Sequence, residues 1–555
     1  PAVSLFSGTD TDTILPLPST AISTLNGAKP VTSYMVSSTA AFSATVGTAA
    51  GSAVGSAVGL GNIWGFPYKM GMSGGFAFLL VYLVLAVLVG LAVMVGEFTI
   101  GRKTGMSPVA AYRKLSKKFT WMGYMAVLVP FLVLCFYFVL GGMVMRYALG
   151  YLTAIFGWNT WNVADISEFF GTFILNGGQM ILWTAIFIAL NAFIVAAGVA
   201  EGIEKFCKIG MPALFIMLLI VIVYVAVQPG AMDGYKFMFG WNVEPLKEDF
   251  LKVLKTAAGQ MFFSLSLGMG AMITYGSYLK KQESIQKNAV IVVICDTLVA
   301  IMAGMIVMPA CYAFLGGETS SGPGLLFLSM QIVFDKMGYV GNIMGFLFYA
   351  LVFIAAISSS FSLLEVITSF KVDQNVAEGK APGRKKYAIL AAVIIFVFCL
   401  PTCLDGLGAG TNGGATIGNP ADILGMHWAE AGDISEFADG TNYYVKGDDG
   451  IYSKVDTAAV AFDASETYYL NTARTWNGDW LDFYDMLSEG IMMPLGAMVM
   501  AFAIGWIWKI DMVVEECEAS GHKFWGRAFF NICYKFITPI GMAFVLYAQI
   551  ISYFG

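Results

Sequence analysis

Apolar runs of about 20 residues recur along this chain, the length a helix needs to cross the roughly 30 Å hydrocarbon layer of a bilayer. Inside that layer no water is available to the backbone, so each N–H and C=O must be satisfied within the protein, and helices satisfy them locally. About eleven spans are predicted: 45–70, 76–101, 121–149, 178–198, 204–228, 250–279, 288–316, 340–370, 385–403, 484–508 and 526–553. The chain is 58% hydrophobic and 12% charged over 555 residues, with mean hydropathy +0.72. The fold class expected is therefore an all-α polytopic protein whose first partner is the lipid bilayer.

Charge and cysteine content remove other classes. The net charge is −6, the acidic excess lies in loops, and no basic stripe or aromatic platform accompanies it, so nucleic acid is excluded as a partner. Eight cysteines (Cys135, Cys207, Cys295, Cys311, Cys399, Cys403, Cys517 and Cys533) are scattered mostly through apolar segments, without the pairing of a disulfide framework or the spacing of a zinc site. The two histidines, His427 and His522, are too few and too far apart for most metal chemistry. A membrane-embedded enzyme is disfavoured as well: no histidine falls at membrane depth and no Ser/His or Cys/His constellation appears.

Lysine and arginine set the orientation. Arg102, Lys103, Arg113, Lys114, Lys117 and Lys118 follow the second span, and Lys371, Lys380, Arg384, Lys385 and Lys386 follow the eighth. Basic links stay in the cytoplasm, which places the N-terminus there. The link 404–480, rich in glycine and aspartate with only Lys446, Lys454 and Arg474 as cations, is then an acidic extracellular insertion. Residues 1–44, rich in Ser, Thr and Ala, are expected to form a disordered tail.

Two spans contradict their own setting. "GSAVGSAVGLGNIWGFPYKMG" (51–71) carries Gly51, Gly55, Gly59, Gly61, Gly65 and Gly71 together with Pro67. The four-residue spacing of Gly51, Gly55 and Gly59 has a plain reading as a helix-packing face. Beyond Gly59 that reading weakens, because glycines and a proline both oppose helix. An interruption is tolerable in lipid only where it faces protein, ions or a polar cavity. The sixth span repeats the feature: "GQMFFSLSLGMGAMITYGSYL" (259–279) sets Ser264, Ser266, Gly268 and Gly270 in mid-span. Breaks five spans apart in two five-helix halves of opposite orientation point to an inverted-repeat transporter with a site near the bilayer midplane. The halves are 45–228 and 250–403 completed by 481–508, with 526–553 as an additional helix.

"GSAVGLGNIWGFPY", "GGFAFLLVYL", "EGIEKFCKIGMPALFI", "GQMFFSLSLGMGAMITYGSY" and "AAISSSFSLLEVIT", in this order, resemble the neurotransmitter:sodium symporter family, close to its bacterial eleven-helix amino-acid transporters with the fold of the bacterial leucine transporter. The resemblance spans about 50–400 and 480–553. It implies a multi-pass protein of the plasma (inner) membrane that couples sodium, as two ions, to uptake of an amino acid by alternating access. Sodium is a hard cation that takes oxygen ligands. The matching positions are Ala57, Asn62, Ser264 and Asp296 with the substrate carboxylate for the first ion, and Gly55, Val58, Ala355, Ser358 and Ser359 for the second. In isolation, Ser358 to Ser360 also read as serines bonded back to their own helix.

Asp296 is the one charge in the span "VIVVICDTLVAIMAG", and a carboxylate at that depth marks function. Chloride-dependent relatives resemble the chain at Tyr82, Gln260 and Ser264 but carry a neutral residue at the position of Asp296, so the resemblance implies no chloride requirement. The alternative for Asp296 is a protonated side chain bonded to a neighbouring helix. Gly59 stands where amine transporters have aspartate, which leaves room for a substrate bringing its own carboxylate. The implied pocket consists of Ala57, Gly59, Gly61, Tyr137, Phe263, Ser264, Ser266, Met269, Ser359 and Leu363. Met269 adapts to bulky shapes, which favours a leucine-like or aromatic side chain.

The gates depart from the family. Gly65 replaces the usual arginine, so Asp485 loses its expected partner, and Lys69, about one turn further on, is the candidate substitute. Asp373, Ser277 and Tyr278 match the inner gate, while "AAFS" at 40–43 lacks the expected arginine and tryptophan. Gly202 and Pro212 match a glycine–proline pair that lets the inner end of the fifth helix unwind. A homologue that binds an amino acid without transporting it is the alternative these departures raise. Nothing in the pattern specifies an oligomeric state.

Overall fold

The computed structural model describes residues 49–554, apart from 162, 164–165, 199–202, 318–321, 412–413, 425–427, 432–436, 438–442, 447–451, 456–461, 464–465, 472–475 and 520. The predicted tail 1–44, the 40–43 segment, His427 and Gly202 lie outside the described residues.

Two short helices flank the first break: α1 (Ala49–Ala57) and α2 (Phe66–Met72), joined through a π-helical turn at Gly61–Gly65. The next four spans are continuous: α3 (Phe76–Thr104), α4 (Lys117–Ile155), α5 (Gly177–Ala197) and α6 (Lys205–Ala226). The second break separates α7 (Phe250–Ser264) from α8 (Ala271–Tyr278). Five spans follow: α9 (Ile285–Leu315), α10 (Tyr339–Ala377), α11 (Arg384–Leu404), α12 (Trp480–Glu518) and α13 (Arg527–Phe554). Among the described residues nine helices are long and apolar enough to cross a membrane, and the two broken segments account for the remaining predicted runs. α4, α10 and α12 extend well past their predicted ends, because Lys, Glu and Gln continue a helix at the interface as readily as Leu does within it.

Local chemistry sets several boundaries. Asn176, Asp249, Ser284 and Asp479 cap the N-termini of α5, α7, α9 and α12, each side-chain oxygen accepting an N–H three residues on. Gly105 (φ +65°) and Gly316 (φ +68°) end α3 and α9 in the left-handed conformation. α10 lies at the centre and packs along α4, with Tyr147, Tyr151 and Tyr349 stacked between them. The broken segments lie against this core, so their free backbone groups face protein rather than lipid.

The insertion departs from the all-α expectation. Strands β1 (Trp428–Glu430), β2 (Tyr443–Lys446), β3 (Tyr452–Lys454) and β4 (Tyr468–Asn471) form an antiparallel sheet in the order β1-β4-β2-β3, with Tyr444 opposite Tyr469. Strands of three or four residues in a Gly/Asp-rich stretch leave little periodicity to read. Rings of Phe437, Tyr443 and Tyr468 pack on one another. The insertion is tied to the bundle: Asp405 Oδ2 accepts from Trp480 N (2.7 Å), and Trp476 Nε1 donates to Tyr553 O near the end of α13 (2.9 Å).

Candidate functional site

The two breaks meet. Between α7 and α8 the chain passes through Ser266 (φ +52°), Gly268 (φ +75°) and Gly270 (φ +71°), a left-handed run that takes these residues out of the helical hydrogen-bond ladder. Gly268 N, freed by the break, donates to Glu97 Oε1 of α3 (2.8 Å), and Ser266 Oγ crosses to Ser56 O of α1 (3.1 Å). Sequence reasoning missed Glu97, although the rule applied to Asp296 selects it too: it is a buried carboxylate within an apolar span.

Asn62, in the turn between α1 and α2, organises one side. Its Oδ1 accepts from Gly59 N (2.8 Å), and its Nδ2 donates to Ser264 Oγ (2.9 Å), Asp296 O (3.0 Å) and Asp296 Oδ1 (2.7 Å). Ser264 Oγ also lies 2.7 Å from Asp296 Oδ2, and Tyr82 OH lies 3.4 Å from it. Three oxygens thus converge on a single amide nitrogen, a geometry that also suits a small hard cation. Turning the Asn62 amide over brings its oxygen to the same point, since amide O and N are nearly isosteric. Gln260 Nε2 donates to Gly61 O (2.6 Å) rather than to this group.

On the other side, Ser359 Oγ donates to Ser56 O (2.9 Å) and Val58 O (3.0 Å) of α1 and its break. Ser358 Oγ bonds back to Ala355 O (2.9 Å) and reaches Val58 O (3.3 Å), while Ser360 Oγ meets Asn191 Oδ1 of α5 (2.7 Å). The back-bonded reading of the serines therefore holds in part for Ser358 and Ser360, and Ser359 crosses entirely to the broken helix. Gly55 lets α1 lie close against α6: a Cβ there would stand 2.4 Å from Cys207 Sγ.

Between these groups lies a small cavity of about 10 Å³. Its lining brings together Ala57, Gly59, Gly61, Tyr137, Phe263, Ser266, Met269, Ser359 and Leu363, with Val133 added. Val133 lies four residues before Tyr137 on the same face of α4, so helical spacing could have found it. Ser264 does not line the cavity and faces Asp296 instead. A Cβ on Gly59 would stand 2.3 Å from Ser359 Oγ and 2.6 Å from Tyr137 OH, and one on Gly61 would stand 2.7 Å from Phe263. Tyr137 OH accepts from Leu60 N (2.9 Å), which leaves its own proton available to a ligand.

Above Phe263 the expected ion pair is shifted. Lys69 meets Glu489, one turn beyond Asp485, rather than Asp485 itself, and Lys69 Nζ lies 6.0 Å over the Phe263 ring. The cause is local: the π-helical turn Met486–Met492 of α12 rotates Glu489 inward, and Gly259 makes room, since a Cβ there would stand 2.5 Å from Glu489 Oε1. Asp485, Asp482 and Lys69 border a wider vestibule that opens from this point.

At the opposite end, the trio Asp373, Ser277 and Tyr278 is not joined by direct hydrogen bonds. Asp373 Oδ2 accepts from Ser107 N (2.6 Å), and Ser277 Oγ bonds back to Thr274 O (2.6 Å). Tyr278 OH instead donates to Glu365 Oε1 (2.5 Å), and Glu365 pairs with Arg384. The sequence reading overlooked Glu365, a further buried carboxylate within a long span, and Arg384 as its partner. Pro212 sits inside α6 as expected.

Helices broken at the centre of a membrane bundle, with oxygens and a small cavity gathered between them, define a transporter. A model of the Sodium:neurotransmitter symporter family matches residues 50–172 and 172–417, and the chain belongs to that family of sodium-coupled symporters. It is not an enzyme. An uncharacterized sodium-dependent transporter of Haemophilus influenzae is 34% identical over 495 residues, 86% of this chain and 92% of that protein. The uncharacterized sodium-dependent transporter YhdH of Bacillus subtilis is 34% identical over 353 residues, 62% of this chain and 74% of its own length. Among solved structures, MhsT in complex with L-phenylalanine is similar, with 33% identity, a TM-score of 0.70 and coverage of 90% of this chain and 98% of that one.

Proposed function

We propose that this protein is a symporter that carries a neutral, hydrophobic or aromatic amino acid together with two sodium ions, by alternating access and without chloride. The observation that carries the reading is that both breaks meet at the cavity lined by Gly59 and Gly61, with Asp296 bonded to Asn62 and Ser264 beside it. The substrate carboxylate would lie against the Gly59–Gly61 break and take the Tyr137 proton, and the ammonium would face Ser359 and the carbonyls of the second break. Phe263, Met269, Leu363 and Ser266 would surround the side chain. L-phenylalanine bound to MhsT supports this class of substrate.

Asn62, Ser264, Asp296 and Ala57 are the oxygen donors for the first ion, whose shell the substrate carboxylate completes. Gly55, Val58, Ala355, Ser358 and Ser359 are those for the second. Sharing the carboxylate makes sodium and substrate raise each other's affinity by the same factor. The two repeats, 45–228 and 250–403 completed by 481–508, are related by inverted topology about this site, which would open to each side in turn. In this reading the end bearing Arg102 and Arg384 is cytoplasmic, and the 404–480 insertion faces outward.

The test is uptake of labelled phenylalanine and leucine into proteoliposomes, under an inward sodium gradient in chloride-free buffer, beside a potassium-only control and equilibrium binding. Sodium-driven accumulation is expected. Binding without accumulation would move the assignment to a non-transporting receptor, and neither would refute the substrate class.

Lys69 and Glu489 form the outer gate in this reading, with Asp485, while Glu365 and Arg384 join Asp373, Ser277 and Tyr278 at the inner one. Glu489→Gln or Lys69→Gln should lower uptake about tenfold, and the double variant should cost no more than either single one, because removing either partner already breaks the pair. Additive losses in a double-mutant cycle would show that the two residues act separately.

A further inference from the structure

A second charged cleft lies away from the transport site, between α12 and α13, at the end of the bundle where Arg102 and Lys281 both pair with Glu516. Trp506, Lys509, Asp511, Arg527, Asn531 and Lys535 are among its lining residues. Three cations face a single carboxylate, Asp511, which pairs with Arg527.

Four observations distinguish this cleft from an ordinary basic helix end. Lys509 is a non-glycine residue at φ +64°, placed where α12 breaks after a π-helical turn at Ala503–Trp508. Backbone strain of this kind persists only where the surroundings impose it, and here it falls on a residue lining the cleft. Lys535 Nζ lies 5.4 Å over the Trp506 ring, and Trp506 Nε1 donates to Lys535 O (3.1 Å), so the cation and the indole hold each other in place. Asn531 Oδ1 is buried with no hydrogen-bond partner, an acceptor open to a hydroxyl donor. Ile507, Ile532 and Phe536 beside the cleft are about half exposed, which opens it toward the acyl region rather than toward bulk water.

We propose that this cleft binds the headgroup of an anionic glycerophospholipid. Its phosphate is held by Lys509, Lys535 and Arg527, a headgroup hydroxyl donates to Asn531, and an acyl chain runs over the exposed apolar residues. Cations at the ends of spanning helices are attracted to anionic leaflets, and an indole such as that of Trp506 favours headgroup depth. A soluble phosphate would leave the apolar flank uncovered, which favours the lipid.

Thermal unfolding of the full-length protein in detergent, with added phosphatidylglycerol, phosphatidylcholine or inorganic phosphate, tests the proposal. Phosphatidylglycerol is expected to raise Tm by about 5 °C more than phosphatidylcholine. That difference should vanish in the double variant Lys509→Gly, Lys535→Gln. Glycine adopts φ +64° freely, so the variant should fold at least as well in phosphatidylcholine as the natural chain. Native mass spectrometry of the natural chain gives an independent reading: one phosphatidylglycerol should stay bound under conditions that strip phosphatidylcholine. Equal shifts for the two lipids, a shift that survives in the variant, or no retained lipid would overturn the proposal. A shift reproduced by inorganic phosphate alone would overturn the lipid assignment in favour of a soluble phosphate.

Discussion

Asp296→Asn should reduce sodium-driven uptake in chloride-free medium by on the order of 100-fold, and chloride should restore part of it. In the proposed loaded site two sodium ions and a zwitterionic substrate sum to +2, and an ionised Asp296, bonded to Asn62 and Ser264, halves that charge. A unit charge about 4 Å away contributes roughly 4 kcal/mol at an effective dielectric constant near 20, and half of that is already more than tenfold in affinity. Asn62 Nδ2 can only donate to Asp296, and the hydroxyls of Ser264 and Tyr82 are free to do the same, so the surroundings suit a carboxylate. The asparagine variant keeps size and hydrogen bonding while removing the charge. Tyr82 and Ser264 then become donors without an anion, which is why chloride should recover activity. Wild-type uptake by the variant without chloride would show that Asp296 carries a proton and is only a packing residue.

Gly59→Ala should weaken substrate binding about 10- to 100-fold while leaving the protein folded. The added methyl would stand 2.3 Å from Ser359 Oγ and 2.6 Å from Tyr137 OH, far inside van der Waals contact. Neither group has room to retreat: Ser359 bonds to Ser56 O and Val58 O, and Tyr137 OH takes the Leu60 amide. Overpacking of this kind costs about 1–3 kcal/mol. Because the clash falls where the substrate carboxylate is proposed to lie, most of that cost should appear in binding. Equilibrium binding of labelled phenylalanine, beside a melting curve for the same preparation, separates the two effects. Normal binding at normal stability would place the carboxylate elsewhere, and lost folding with restored binding on added ligand would show a rearranged cavity.

Much of this site was legible in advance because membrane chemistry leaves few neutral choices. Glycines and proline at 59–67 conflict with a spanning helix, and Asp296 conflicts with lipid, so each marked itself before any geometry was available. Glu97 and Glu365 carry the same signal and went unread only because a partner was not evident in the sequence. Their partners, Gly268 N and Arg384, lie 171 and 19 residues away along the chain. Val133 was marked only by its helical spacing from Tyr137, because a valine on an apolar helix looks the same whether it faces a substrate, a neighbour or lipid.

The gate shows where sequence position misleads. The family resemblance and helical spacing put Lys69 opposite Asp485, yet a π-helical turn adds rotation that no residue-by-residue correspondence contains, and Glu489 faces Lys69 instead. The insertion's strands escaped in the same way, since three or four residues per strand give no period to detect.

By itself, then, the sequence determined that the chain crosses a membrane repeatedly, that its first and sixth spans are broken, and that Asp296 is a carboxylate at membrane depth. These follow from the cost of polar groups in hydrocarbon, residue by residue, whereas the grouping of Asp296 and the oxygen donors with the breaks came from the family resemblance. Only the tertiary structure decided which carboxylate meets Lys69, which residues share the cavity with Tyr137, and where the free amide of Gly268 finds its acceptor. Those outcomes depend on helix rotation and on side-chain approaches of a few ångströms between segments distant along the chain, and no local pattern encodes them.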